Sequence, residues 1–112
     1  MSEWRVELTE AAEKEIRALP HELQARFLHV AELLEELGPQ RVREPYVKKL
    51  EGKLWEMRFK GRDRIARAIY FHALGKRLLV LRAFVKKTQK TPRREIELSL
   101  NRLKDIWTCP RR

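Results

Sequence analysis

The stretch "KLWEMRFKGRDRIARAIYFHALGKRLLVLRAFVKK", residues 53–87, decides the fold. Residues 53–60 alternate, with Trp55, Met57 and Phe59 on one side and Glu56, Arg58 and Lys60 on the other. That period of two is a strand with one buried face. Gly61-Arg62-Asp63 turns the chain into a second strand over 64–72, and Ala73-Leu74-Gly75-Lys76 turns it again. The third strand, 77–85, is apolar on both faces and therefore central. Strands joined by such short turns form an antiparallel meander.

Working towards the N-terminus, Val47–Leu50 is a short extended piece closed by a turn at Glu51-Gly52, and 39–46, with two prolines, is a loop. Residues 21–37 place Leu23, Phe27, Val30, Ala31, Leu34 and Leu37 at amphipathic helical spacing, and Gly38-Pro39 stops that helix. An earlier helix carries Ala12, Ile16 and Leu19, is capped by Thr9 with Glu10 at its positive end, and closes at Pro20. Residues 3–8 alternate as a first strand. Towards the C-terminus, Thr91 and Pro92 open a last helix with the stripe Ile96, Leu100, Leu103 and Trp107, ended by Pro110. The expected fold is α+β: an N-terminal strand, a helical hairpin on one face of an antiparallel three- to four-stranded meander, and a C-terminal helix, in one domain spanning 1–112.

Composition narrows the function. The chain is 43% hydrophobic and 38% charged, which suits a globular domain. Its lone cysteine, Cys109, permits no internal disulfide. The start, MSEWRVELTEAAEK, has neither the basic nor the apolar region of a signal peptide, and no window matches a membrane span, so a cytoplasmic protein with no membrane partner is expected. The net charge of +10 is segregated. Residues 1–45 hold 6 Lys and Arg against 10 Asp and Glu, whereas residues 46–112 hold 20 against 6. A cationic half attracts a polyanion and releases its counterions; the plainer reading is a charged surface without a target.

The stretches "VKKLEGKLWEMRFKGRDRIARAIYF" (47–71) and "VLRAFVKKTQKTPRREIELSLNRLKD" (80–105) resemble the RelE/ParE superfamily of bacterial toxins, in its HigB-like, phage-derived branch. The resemblance rests on the Lys-x-Leu-x-Gly-x-Leu-Trp-Glu-Met-Arg strand, which includes Lys48, on the arginine-bearing strand after it, and on the Phe-x-Lys-Lys-Thr-x-Lys-Thr-Pro junction. It implies an endoribonuclease toxin of a type II toxin–antitoxin pair that cuts mRNA on the ribosome. It also implies a cognate antitoxin, often a helix-turn-helix protein.

RNA carries its own nucleophile, the 2′-hydroxyl, so its cleavage needs no metal. The protein must align that oxygen, take its proton and stabilise the phosphorane, a role suited to arginine. Arg58 stands on the polar side of its strand, where it either meets phosphate or is simply solvated. Arg67 shares its side with Ile65, Ile69 and Phe71, so it must line a cleft or pair with a carboxylate such as Glu56 or Asp63. The resemblance singles out this arginine as the phosphate binder. It also places a catalytic cation at the junction, for which Lys87 is favoured with Lys86 close behind; gatekeeper charges on an apolar strand are the alternative. Arg82 reads as a structural ion pair.

Lys60, Arg62, Arg64 and Lys90 are expected to contact RNA or be merely solvated. Tyr70 could stack on a base or sit in the core, and His72 could take a proton or lie in a turn. Glu56 could also accept a proton, though pairing with a neighbouring cation competes, and no general base is singled out. His21 and His29 lack ligand partners, so neither a metal nor a cofactor is expected. Two other readings stay open: a ParE-type inhibitor of DNA gyrase, and a plain nucleic-acid-binding module.

Overall fold

The computed structural model describes residues 3–86 and 90–108. Lys87 and the Pro110 stop lie outside the described residues, as does the side chain of Trp107. The elements run β1 (Arg5–Leu8), α1 (Glu10–Arg17), α2 (His21–Leu37), β2 (Val47–Lys49), β3 (Trp55–Lys60), β4 (Ile65–Ala73), β5 (Arg77–Val85) and α3 (Arg93–Thr108).

The strands form one five-stranded sheet in the order β1-β5-β4-β3-β2. The meander from β2 to β5 is antiparallel, as its short turns require. β1 joins the outer side of β5 in parallel, with Arg5 opposite Arg77 and Leu8 opposite Val80. The mixed sheet is thus one strand wider than the meander alone, and β5 is internal.

Both faces of the sheet are covered. Met57, Phe59, Ala68, Tyr70 and Val80 pack under the hairpin residues Ile16, Leu23, Phe27 and Leu34. Leu54, Ile69, Phe71 and Leu81 pack under α3, against Ile96, Leu100 and Leu103. This double cover is why β5 reads as apolar on both sides. Thr9 caps α1: its hydroxyl accepts the Ala12 N–H at 3.1 Å. Gly38 ends α2 with a φ of 85°, and a Cβ there would lie 3.4 Å from the Trp4 ring.

β1 stops opposite Val80, leaving the next edge groups of β5 without a strand partner. Two charged side chains take its place. Glu15 of α1 accepts the Ala83 N–H at 3.0 Å, and Arg102 of α3 donates to the Leu81 carbonyl at 2.8 Å. Glu15 and Arg102 also pair with each other at 2.9 Å, and Arg82 bridges Glu15 (2.7 Å) to Glu95 (2.6 Å). One ionic network therefore ties both helical layers to the sheet, and Arg82 is structural. Burial raises the Glu15 carboxyl, but the hydrogen bonds from Arg102 and Ala83 and the charge of Arg82 outweigh it and hold the group below its ordinary value.

Candidate functional site

Residues 56 and 58 of β3 point to the α3 face, and the antiparallel register sets Arg58 directly opposite Arg67 of β4. Like charges at paired positions repel. The sheet tolerates them because Glu56 lies between them, fully buried. Its Oε2 accepts from Arg58 Nε at 3.1 Å, and its Oε1 lies 3.5 Å from Arg67 Nη1. Thr91 completes the knot: its hydroxyl donates to Glu56 Oε1 at 2.5 Å and accepts from Arg67 Nη1. Thr91 is therefore spent on the sheet, and α3 starts two residues later, at Arg93.

Arg67 is 1% exposed, whereas 27% of the Arg58 side chain remains open. Burial pushes the Arg67 guanidinium below the usual arginine value; Glu56 opposes that shift and Arg58 adds to it. Lys86 follows the last residue of β5 and extends the ladder, its N–H donating to the Ile65 carbonyl at 2.6 Å. By strand parity it shares the side of Phe84, which is the side of Arg67. Desolvation and the nearby charges of Arg67, Arg58 and Lys48 lower its ammonium pKa, with Glu56 opposing. Lys48 sits opposite Glu56 across the β2–β3 ladder.

Arg58 and Lys86 open into a cleft of about 300 Å³ at the end of β3. Its wall also holds Lys60, Arg26 and His29 of α2, and Pro45 and Tyr46 of the loop before β2, over a floor of Phe59, Ile65 and Val30. The lining has four cations and no carboxylate among the described residues. Such a surface suits an anion flanked by something flat and apolar.

Of the residues singled out from sequence, Arg58, Arg67 and Lys86 come together, and Lys60 lines the same cleft. Arg62 and Arg64 are exposed in the β3–β4 turn, and Lys90 is exposed ahead of α3. Tyr70 and His72 belong to the other face of the sheet. Tyr70 is fully buried under the hairpin, which drives its phenol pKa up. His72 is exposed but stacks on Trp55 at 5.6 Å, and partial desolvation followed by the charge of Lys49 lowers its imidazole pKa. Glu56 is saturated by three donors, so it orients the arginines and is poorly placed to take a proton.

Sequence reasoning did not bring in Arg26, His29 and Tyr46. The helical periodicity of α2 marks its buried stripe but does not say which strand end its polar side overhangs. Among the described residues, no three of His, Cys, Asp and Glu gather as a metal site would require, and no helix is long and apolar enough to cross a membrane.

Comparison with known proteins agrees with this architecture. Residues 14–104 match the family described as "Phage derived protein Gp49-like (DUF891)". No curated protein matches the chain. Among solved structures, a double-arginine mutant of the E. coli toxin RelE in the free state superposes with a TM-score of 0.63 at 20% identity, covering 95% of this chain and 99% of that one. The archaeal RelE–RelB complex from Pyrococcus horikoshii OT3 gives a TM-score of 0.56 at 28% identity, covering 80% of this chain and 99% of the matched chain. With a family match over most of its length and strands, hairpin and C-terminal helix in the RelE arrangement, the chain belongs to the phage-derived Gp49-like family and has the RelE toxin fold.

Proposed function

We propose that this protein is the toxin of a toxin–antitoxin pair and acts as an endoribonuclease on mRNA at the ribosome. The observation that carries the reading is the meeting of Arg58 of β3, Arg67 of β4 and Lys86 just past β5, of which Arg58 and Lys86 line a cleft whose described lining has no acid. In this reading the 2′-oxygen attacks phosphorus in line and the bond to the 5′-oxygen breaks. A 2′,3′-cyclic phosphate and a 5′-hydroxyl result. Arg58, the arginine with an open face, stabilises the extra charge on the phosphorane. Arg67 works from behind, holding Glu56 and through it Arg58. Lys86, with its lowered pKa, takes the 2′-hydroxyl proton in its neutral form, and the leaving oxygen is protonated by water. RNA supplies the nucleophile, so no step is routed through a metal or cofactor.

A protein partner follows from the same kinship, since the archaeal RelE was solved as a RelE–RelB complex. We expect a cognate antitoxin, of the helix-turn-helix kind, and a cytoplasmic site of action. The test is induction in cells with mRNA 5′ ends mapped against codon frame. Cuts in frame that vanish with Arg58→Ala support ribosome-bound cleavage. Double-strand DNA breaks with intact mRNA would favour gyrase inhibition and sink the nuclease reading. RNA binding with neither effect would leave a plain binding module.

A further inference from the structure

We infer that Tyr46 and His29 form a nucleobase subsite beside the phosphate cations, so that the cleft holds one nucleotide by both ends. The inference rests on the reading of the cleft as an RNA site. Tyr46 is the residue before β2, and its carbonyl accepts the Arg58 N–H at 2.7 Å. That bond sets the aromatic residue next to the backbone of the phosphate-facing arginine. Its ring meets His29 of α2 edge to face, with centroids 6.4 Å apart. Tyr46 is 40% exposed, a high value for a large aromatic side chain.

The cleft is ligand-sized, at the lower end of the roughly 300–1,000 Å³ common for small-molecule sites. Three of its cations, Arg58, Lys60 and Lys86, lie at its sheet end, and an aromatic pair lies on its helix and loop side with Arg26 of α2. An isolated anion would need only the cations. A nucleotide uses both, because every base has a π-face that stacks on an aromatic ring whatever its identity. The subsite therefore grips a base with little sequence preference and seats its phosphate against Arg58.

The experiment measures binding of the full chain to two short single-stranded oligonucleotides by fluorescence anisotropy. Both carry 2′-deoxy sugars so that neither is cut; one has bases and the other is abasic throughout. Wild type should prefer the base-bearing strand. Tyr46→Ala should weaken that strand alone, by roughly 5- to 150-fold, the range for losing one stacked base. Tyr46→Phe should keep the preference, and His29→Ala should reduce it. Thermal unfolding of each variant checks that it is folded. Two bound strands whose ratio is untouched by Tyr46→Ala would overturn the subsite and leave the proposed function standing. Failure of wild type to bind either strand would overturn both.

Discussion

Arg58 and Arg67 occupy paired positions across the β3–β4 ladder and share one buried carboxylate, Glu56. Two guanidinium groups and one carboxylate leave the cluster net positive. Its outer arginine is fixed in direction yet still open to a ligand. Catalysis by electrostatic preorganisation needs that combination: the charge is aimed before the substrate arrives, and little reorganisation is left for the reaction itself.

Removing the carboxylate should therefore unlock the sheet. Glu56→Gln leaves two like charges facing each other across a ladder, one of them buried. The expected loss of stability is about 3 kcal/mol, the scale for breaking a buried ion pair from one side. Urea unfolding checks it. A midpoint equal to wild type would mean that the arginines do not depend on Glu56.

The two arginines should separate by phenotype. Arg58→Ala removes the open charge, and RNA cleavage should fall by about 100- to 1,000-fold, as when one oxyanion-hole donor is lost. Glu56 keeps Arg67 and Thr91, so the fold should survive. Arg67→Ala strips the buried partner and should cost stability first, about 3 kcal/mol. Single-turnover kinetics and thermal melts on both variants distinguish the roles. A stable, inactive Arg67→Ala would place Arg67 on the substrate itself.

The pH dependence follows from Lys86. As general base it must be neutral, so cleavage should rise with pH and level off above its pKa, which lies below the usual lysine value. Lys86→Arg should abolish the plateau, because arginine does not release its proton. The unfolded lysine binds its proton more tightly, so this group adds stability as pH rises from the lowered value to the ordinary one. A kcat profile that is flat, or that falls over that range, would remove Lys86 as the base.

Acid should loosen the opposite side of the sheet through Glu15. Its folded pKa is depressed, so its contribution is full above the ordinary carboxylate value and is lost as pH falls through the lower, folded one. Glu15→Gln should cost about 2 kcal/mol near neutrality, where the charge-assisted bonds to Arg82 and Arg102 are weakened. The variant should lose less than wild type as pH falls from neutrality through the ordinary carboxylate value to the lower, folded one. Paired denaturant titrations read the difference directly.

The amino-acid sequence by itself determined the strands, the helical hairpin and the turns of the meander. Alternation such as Trp55, Met57, Phe59 and spacing such as Leu23, Phe27, Val30 record which side of each element is withdrawn from water. Arg67 stood out as a cation on an apolar side, which must find a partner or a cleft, whereas Arg58 read as a cation on the polar side of its strand, open to phosphate or solvent. Parity alone also puts Tyr70 and His72 on the side away from Arg67, a consequence that register makes plain. Only the tertiary structure decided that one carboxylate serves both arginines and that Arg67 is buried while Arg58 is open. It alone set Lys86 on their side of the sheet and brought His29 and Tyr46 over the same cleft. Periodicity is a property of one element, fixed by local geometry and burial. A shared partner or a cleft depends on how elements distant in sequence lie against one another, and packing alone selects that.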